Sequence, residues 1–141
     1  NDDIRAKFTA FLLASELNQG TVFAYTATEA AYKKGKEWKE EMLRYVEDNM
    51  NFVNDYLNRH IPSVSAFKPQ ASFLIWLDCR KLGLTQPELV KLFVDQAGLA
   101  LNDGEMFGKE GKGFMRLNIG CSRSILDEAL AKLKKAVDSQ G

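Results

Sequence analysis

Apolar residues along the first half of the chain recur every three or four positions. Ile4, Phe8, Phe11, Leu12 and Ser15 fall near helical spacing, with Asp2 or Asp3 as cap and Gly20 as stop. A second helix is predicted over Val22–Tyr32, ended by Gly35, with Asn18, Gln19 and Thr21 forming a corner between the two. A third, from about Lys36 to Arg59, places Trp38, Met42, Tyr45, Val46, Asn49, Phe52, Val53 and Tyr56 on one face. Lys39, Glu40, Glu47, Asp48, Asn51 and Asn54 give it a solvated opposite face. Its length exceeds the usual globular helix, so it is expected to span two bodies of structure before Pro62 ends it.

The period then changes. Ser72–Asp78, "SFLIWLD", is a dense run of β-formers, apolar on both faces, and predicts a strand covered on both sides or largely so. Val64–Phe67 is a candidate partner strand. Thr85, Pro87 and Glu88 signal a helix start, Leu89, Leu92 and Phe93 its apolar side, and Gly98 its end. Leu99–Leu101 and Phe114–Ile119 read as two further strands. Between them Asn102–Gly113, "NDGEMFGKEGKG", is a loop with four glycines, of a length that more often carries function than mere connection. Ser122 or Ser124 caps a last helix, with Ile125, Leu130, Leu133 and Val137 facing inward.

The order α-β-α-β-β-α after residue 35 predicts an α/β layer, a short mixed sheet of three to four strands with helices packed on it. A change in composition near Gly35 divides the chain into residues 1–34 and 35–141.

Composition narrows the function classes. Lys+Arg and Asp+Glu both number 19, so nothing favours a nucleic-acid partner or an anionic membrane surface. No apolar run approaches a membrane span. Cys79 and Cys121 do not make a disulfide framework and read as reduced thiols of a cytoplasmic protein. The single histidine, His60, excludes a His-rich metal site and reads as a favourable neighbour of the last carbonyls of its helix.

The sharpest chemical feature is Arg116, a guanidinium inside the apolar strand "FMRLNI". Burying it without a partner is costly, and its planar fork matches a carboxylate with two parallel hydrogen bonds. The partner is either a protein carboxylate, with Glu105, Asp78 and Asp103 as candidates, or a ligand anion admitted by the glycine loop. "GKEGKG" precedes a strand rather than a helix and is not a P-loop. Cys79 and Cys121 lack an activating neighbour, Lys112 reads as a solvated loop residue, and Trp76 reads as core.

Taken together, "SFLIWLDCRKLGL" and "GLALNDGEMFGKEGKGFMRLNIGCSRSILDEALAKL" resemble the C-terminal part of pyridoxal 5'-phosphate (PLP) enzymes of aminotransferase class I/II, fold type I. The nearest group is the MalY/PatB-like cystathionine β-lyases, or C–S lyases. The resemblance implies that residues 1–34 are closing helices of a truncated large domain, and that residues 35–141 form the small C-terminal domain. It implies that Arg116 binds the α-carboxylate of an amino-acid substrate, and that the loop with Asn102, Asp103 and Gly104 borders the active-site mouth. Ser122 stands in "GCSR" where relatives commonly have proline, a turn variation.

The resemblance further implies a parent enzyme that cleaves cystathionine or cysteine conjugates to pyruvate, ammonia and a thiol. Its PLP, Schiff-base lysine and phosphate-holding groups would come from the large domain, upstream of Asn1. This chain would then supply no catalytic, cofactor-binding or metal-binding residue and be inactive alone. The opening "NDDIRAKF", without a methionine, fits a truncated protein. The parent is expected to be a homodimer. Two alternatives stand beside the lyase: an aminotransferase using the same arginine, and a non-catalytic α/β interaction module.

Overall fold

The computed structural model describes residues 1–140. Its helices are α1 (Asp2–Ala14), α2 (Val22–Lys34), α3 (Lys36–His60), α4 (Gln86–Lys91) and α5 (Arg123–Asp138). Its strands are β1 (Ser65–Ala66), β2 (Leu74–Asp78), β3 (Asn102–Asp103) and β4 (Phe114–Asn118). The backbone forms two compact units, Asn1–Glu41 and a second from Met42 onward, and α3 runs through the boundary.

In the first unit, Asn1 caps α1, its Oδ1 accepting from the amides of Asp3 and Ile4 at 3.0 and 3.2 Å. The expected cap, Asp2 or Asp3, falls one or two residues too late. The helix also stops well before Gly20. Glu16 takes the left-handed conformation, φ 53°, while Leu17 N–H reaches Leu12 O and Glu16 N–H reaches Leu13 O. This is the paired closure that usually ends on glycine; a glutamate does it here, so the usual signal is missing. Thr21 caps α2 through the Ala24 amide. Neither α1 nor α2 buries a residue: Ile4, Phe8, Phe11, Phe23 and Tyr32 are all exposed.

The second unit holds the core. Strand order is β1-β2-β4-β3, and every pairing is antiparallel. The expected small α/β sheet is present, but not in mixed direction. The α4 crossover does deliver β3 parallel to β2, as a helical connection should. β4 then returns between them, so the two parallel strands are never neighbours.

One face of the sheet buries Ile75, Leu77, Met115 and Leu117 against Val53 and Leu57 of α3, Phe93, and Leu126, Leu130 and Leu133 of α5. The other face is half-exposed, so β2 is not covered on both sides as its composition suggested. Its alternation, Leu74, Trp76 and Asp78 against Ile75 and Leu77, was masked by apolar residues at both phases.

Leu99–Leu101 is not a strand. Leu99 N–H bonds Phe93 O and Leu101 N–H bonds Leu99 O, a turn that leaves no ladder; pairing begins at Asn102. In α5 the inward stripe starts at Leu126, and Ile125, one position off it, is exposed. On α3, Trp38 and Tyr45 are likewise exposed, while Asn49, Met50, Val53 and Leu57 are buried.

Candidate substrate-carboxylate site

The open face of the sheet is built by register. Arg116 pairs across β4 with Trp76 of β2 on one side and Asn102 of β3 on the other. Period-two alternation puts Phe114 beside them, and the loop after β3 folds Phe107 over the same face.

Arg116 has no carboxylate within ion-pairing distance among the described residues. Its Nη2 donates to Asn102 Oδ1 at 2.8 Å, its Cζ lies 4.4 Å from the Phe107 ring centroid, and its Nε is buried with no partner. The internal partners weighed for it are engaged elsewhere or out of reach. Asp78 accepts from Arg80 Nε and Nη2 at 2.9 and 2.7 Å, and these bonds hold its carboxyl below the usual carboxylate range. Asp103 accepts from Gln86 Nε2 and from the Glu105 amide. Glu105 makes no ion pair with the guanidinium.

The loop that frames the arginine is closed at its neck by two glycines. A Cβ on Gly104 would stand 2.1 Å from Gly111 O and 2.6 Å from Phe114 O, and one on Gly111 would stand 2.0 Å from Gly104 O. Only glycine permits this approach. Both ends are also tied to Gln86, the first residue of α4, which is buried at 4% exposure. Its Nε2 donates to Asp103 and, at 3.4 Å, to Phe114 O; its Oε1 accepts from Gly113 N–H at 2.7 Å.

Beside Arg116 is a cleft of about 310 Å³ lined by Phe67, Trp76, Phe107, Glu110, Gly111 and Phe114. Phe107 belongs to both. Trp76 meets Phe107 and Phe114 edge-on, at 5.4 and 6.1 Å between centroids, and Arg80 covers Phe114 at 4.9 Å. The arrangement offers a half-made fork for an anion next to an aromatic wall for an apolar group.

Sequence reasoning found Arg116, Asn102, Asp103 and Gly104, and the structure brings all four together. Asn102 touches the guanidinium, while Asp103 and Gly104 shape the loop. It missed Gln86 and Phe107, whose contacts span distant segments, and read Trp76 as core. A phase count on β2 would have placed Trp76 opposite the buried Ile75 and Leu77.

The remaining candidates carry no chemistry in this geometry. Burial pushes the Cys79 thiol up to about 12, with Asp78 adding to it, and burial also raises Cys121. Neither is a ready thiolate. Lys112 is exposed, and His60 packs its ring 4.6 Å from that of Tyr56. Among the described residues no group of three or more His, Cys, Asp or Glu could hold a metal, and no helix is long and apolar enough to cross a membrane.

No family model matches the chain. It is 43% identical over 133 residues to cystathionine beta-lyase PatB of Bacillus subtilis, covering 94% of this chain and 34% of that protein. It superposes on a PLP-bound protein of Clostridium difficile 630, described as an aminotransferase, with a TM-score of 0.92 and 34% identity. That match covers 97% of this chain and 35% of the other. Cystalysin of Treponema denticola, whose structure contains PLP, matches all of this chain and 36% of its own at a TM-score of 0.90 and 27% identity. The chain thus spans about a third of the length of the curated relatives it matches.

The residues of the cleft do not fit PLP itself. Its one charged lining residue is a carboxylate, Glu110, and none is a lysine, whereas the cofactor needs an amine and donors for its phosphate. By sequence and fold, the chain is similar to about one third of the length of cystathionine beta-lyases and of PLP-bound proteins of known structure.

Proposed function

We propose that this chain is the substrate-carboxylate-binding domain of a PLP-dependent C–S β-lyase, acting on cystathionine or cysteine conjugates. The observation that carries the reading is Arg116: a guanidinium on an open sheet face, stacked on Phe107, with no carboxylate of the described residues beside it and Nε unpartnered among them. That is the state of an arginine whose anion arrives with the substrate.

In this reading Arg116 clasps the α-carboxylate. Asn102 and Phe107 fix the plane of the fork, and Asp103 and Gly104 set the loop. Holding the carboxylate orients the Cα–H bond toward the base, a positioning role. PLP, held by the remainder of the protein, would supply the electron sink, which none of this chain's cleft residues provides. Residues 1–34 serve as closing helices of that remainder, the large domain of the same chain; their exposed Phe8, Phe11 and Phe23 suit a surface that is covered in the whole protein. The assembly is a cytoplasmic homodimer, and the isolated chain is inactive.

Pyruvate release from cystathionine by the intact protein tests the reading, with Arg116→Lys as the probe. Lysine keeps the charge but lacks the fork, so KM should rise strongly with the fold intact. An unchanged KM removes Arg116 from substrate binding. An aminotransferase using the same arginine is the second reading, favoured by the likeness to the Clostridium difficile protein. Amino-group transfer that depends on an α-keto acid, without pyruvate release from cystathionine, would select it. The isolated chain mixed with PLP and borohydride should gain no stoichiometric lysine adduct.

A further inference from the structure

Gln86 lies 27 positions before Gly113 and 17 before Asp103, makes no hydrogen bond to Arg116, and yet joins both ends of the loop that holds it. One amide does this with both of its functions. The nitrogen donates to Asp103 and Phe114 O, and the oxygen accepts from Gly113 N–H. The bonds flank the residues that matter. Asp103 adjoins Asn102, whose Oδ1 accepts a hydrogen bond from Arg116 Nη2, and Phe114 is two positions from Arg116 on the same face. The span between the tied ends carries Phe107 onto the guanidinium. Nothing else polar and buried reaches both ends of this loop among the hydrogen bonds of the described residues.

We propose that Gln86 is a positioning residue for the substrate carboxylate: it holds the Asn102–Gly113 loop so that Asn102 and Phe107 orient the Arg116 fork. The proposal rests on Arg116 being the carboxylate anchor. The α4 N-terminus is thereby made part of the binding apparatus, although no atom of Gln86 meets the substrate. A loosened loop leaves the guanidinium in place but frees its plane, and a bidentate contact depends on that plane.

The experiment is a double-mutant cycle in the intact PLP-loaded enzyme, with Gln86→Leu, Arg116→Lys and the pair, measuring kcat and KM for the amino-acid substrate. Gln86→Leu should raise KM by about tenfold with kcat within about twofold, the scale of one or two lost hydrogen bonds. The double variant should be scarcely worse than Arg116→Lys, because a fork that is gone cannot be misoriented. Affinity for the corresponding amine lacking the carboxylate should not change. If Gln86→Leu lowers thermal stability and leaves KM alone, or if the two KM effects multiply, the residue is merely structural and the proposal fails. If Arg116→Lys alone leaves KM unchanged, the anchor reading fails instead, and the two failures are told apart. Gln86→Glu gives the same readout should Gln86→Leu not fold. It keeps the acceptor for Gly113 but sets a carboxylate against Asp103, so KM should again rise; an unchanged KM overturns the proposal.

Discussion

The Arg116 guanidinium carbon lies 4.4 Å from the centroid of the Phe107 ring, nine residues back along the chain. The loop between them folds so that the ring covers one face of the fork, while Asn102 Oδ1 accepts from Nη2 at 2.8 Å. Phe107 is 48% exposed and contributes little to the core, so its effect should be read in binding rather than in folding. Phe107→Leu keeps an apolar group and removes the π face. A cation–π contact at an exposed site is worth ~0.5–1 kcal/mol, so KM should rise about two- to fivefold with the unfolding midpoint nearly unchanged. Equal KM values would mean that the stacking does not orient the fork.

Gly104 and Gly111 meet backbone to backbone, and a methyl group at either would overlap a carbonyl oxygen near 2 Å. No side chain can rotate away to relieve this. Gly104→Ala should cost at least the ~1–3 kcal/mol of an overpacked core site and should also weaken substrate binding. Gly111→Ala should do the same, and the double substitution less than the sum, because both open one contact. Chemical denaturation of the three variants checks it; a neutral Gly104→Ala would show that the neck is not closed.

Much of this was open to sequence reading, for identifiable reasons. The helices follow from apolar spacing, and α4 from Thr85 and Glu88, whose carboxylate accepts both the amide and the hydroxyl of Thr85. Arg116 was visible because a charge in an apolar run demands an explanation. Other features depend on contacts that no local window contains. Glu16 closes α1 where glycine was sought, and β3 forms at Asn102 because the backbone of Leu99–Leu101 is spent on a turn. The antiparallel sheet arises because β4 inserts between two strands that a helix made parallel. Phe107 and Gln86 acquire meaning only once the loop returns to the sheet.

Asp78 and Arg80 form an ion pair on the rim of the open face, with Asp78 held below its ordinary range chiefly by the Arg80 side chain. A depressed folded value means the pair stabilises the protein fully above the unfolded carboxylate value, about 3.9, and that this is lost as pH falls through the folded value. Arg80→Ala should therefore lower stability at neutral pH, with the gap to the wild type closing in the acid range below pH ~4. Arg80 is largely exposed, so the effect should be small and reduced by salt. Denaturant midpoints for both proteins from pH 7 to 2.5 test this; a gap that persists to the acid end would assign the loss to Arg80's packing on Phe114 instead.

Asn49 joins α3 to the turn after β4 from a fully buried position. Its Nδ2 donates to Ile119 O and Cys121 O, both at 2.9 Å, and its Oδ1 accepts from Arg123 Nε at 2.9 Å. Arg123 also stacks on Phe52 at 4.4 Å, so one amide organises the start of α5. Asn49→Leu matches the volume but strands two carbonyls and one guanidinium donor, and each orphaned group costs about 1–3 kcal/mol. The expected loss is several kcal/mol by denaturant unfolding. Asn49→Asp separates hydrogen bonding from shape. It keeps the acceptor for Arg123 but places a carboxylate against two carbonyl oxygens, so its loss of stability reads the two donor bonds alone. If Asn49→Leu is neutral to within about 0.5 kcal/mol, the three bonds do not stabilise the fold and the turn must be held by apolar packing alone.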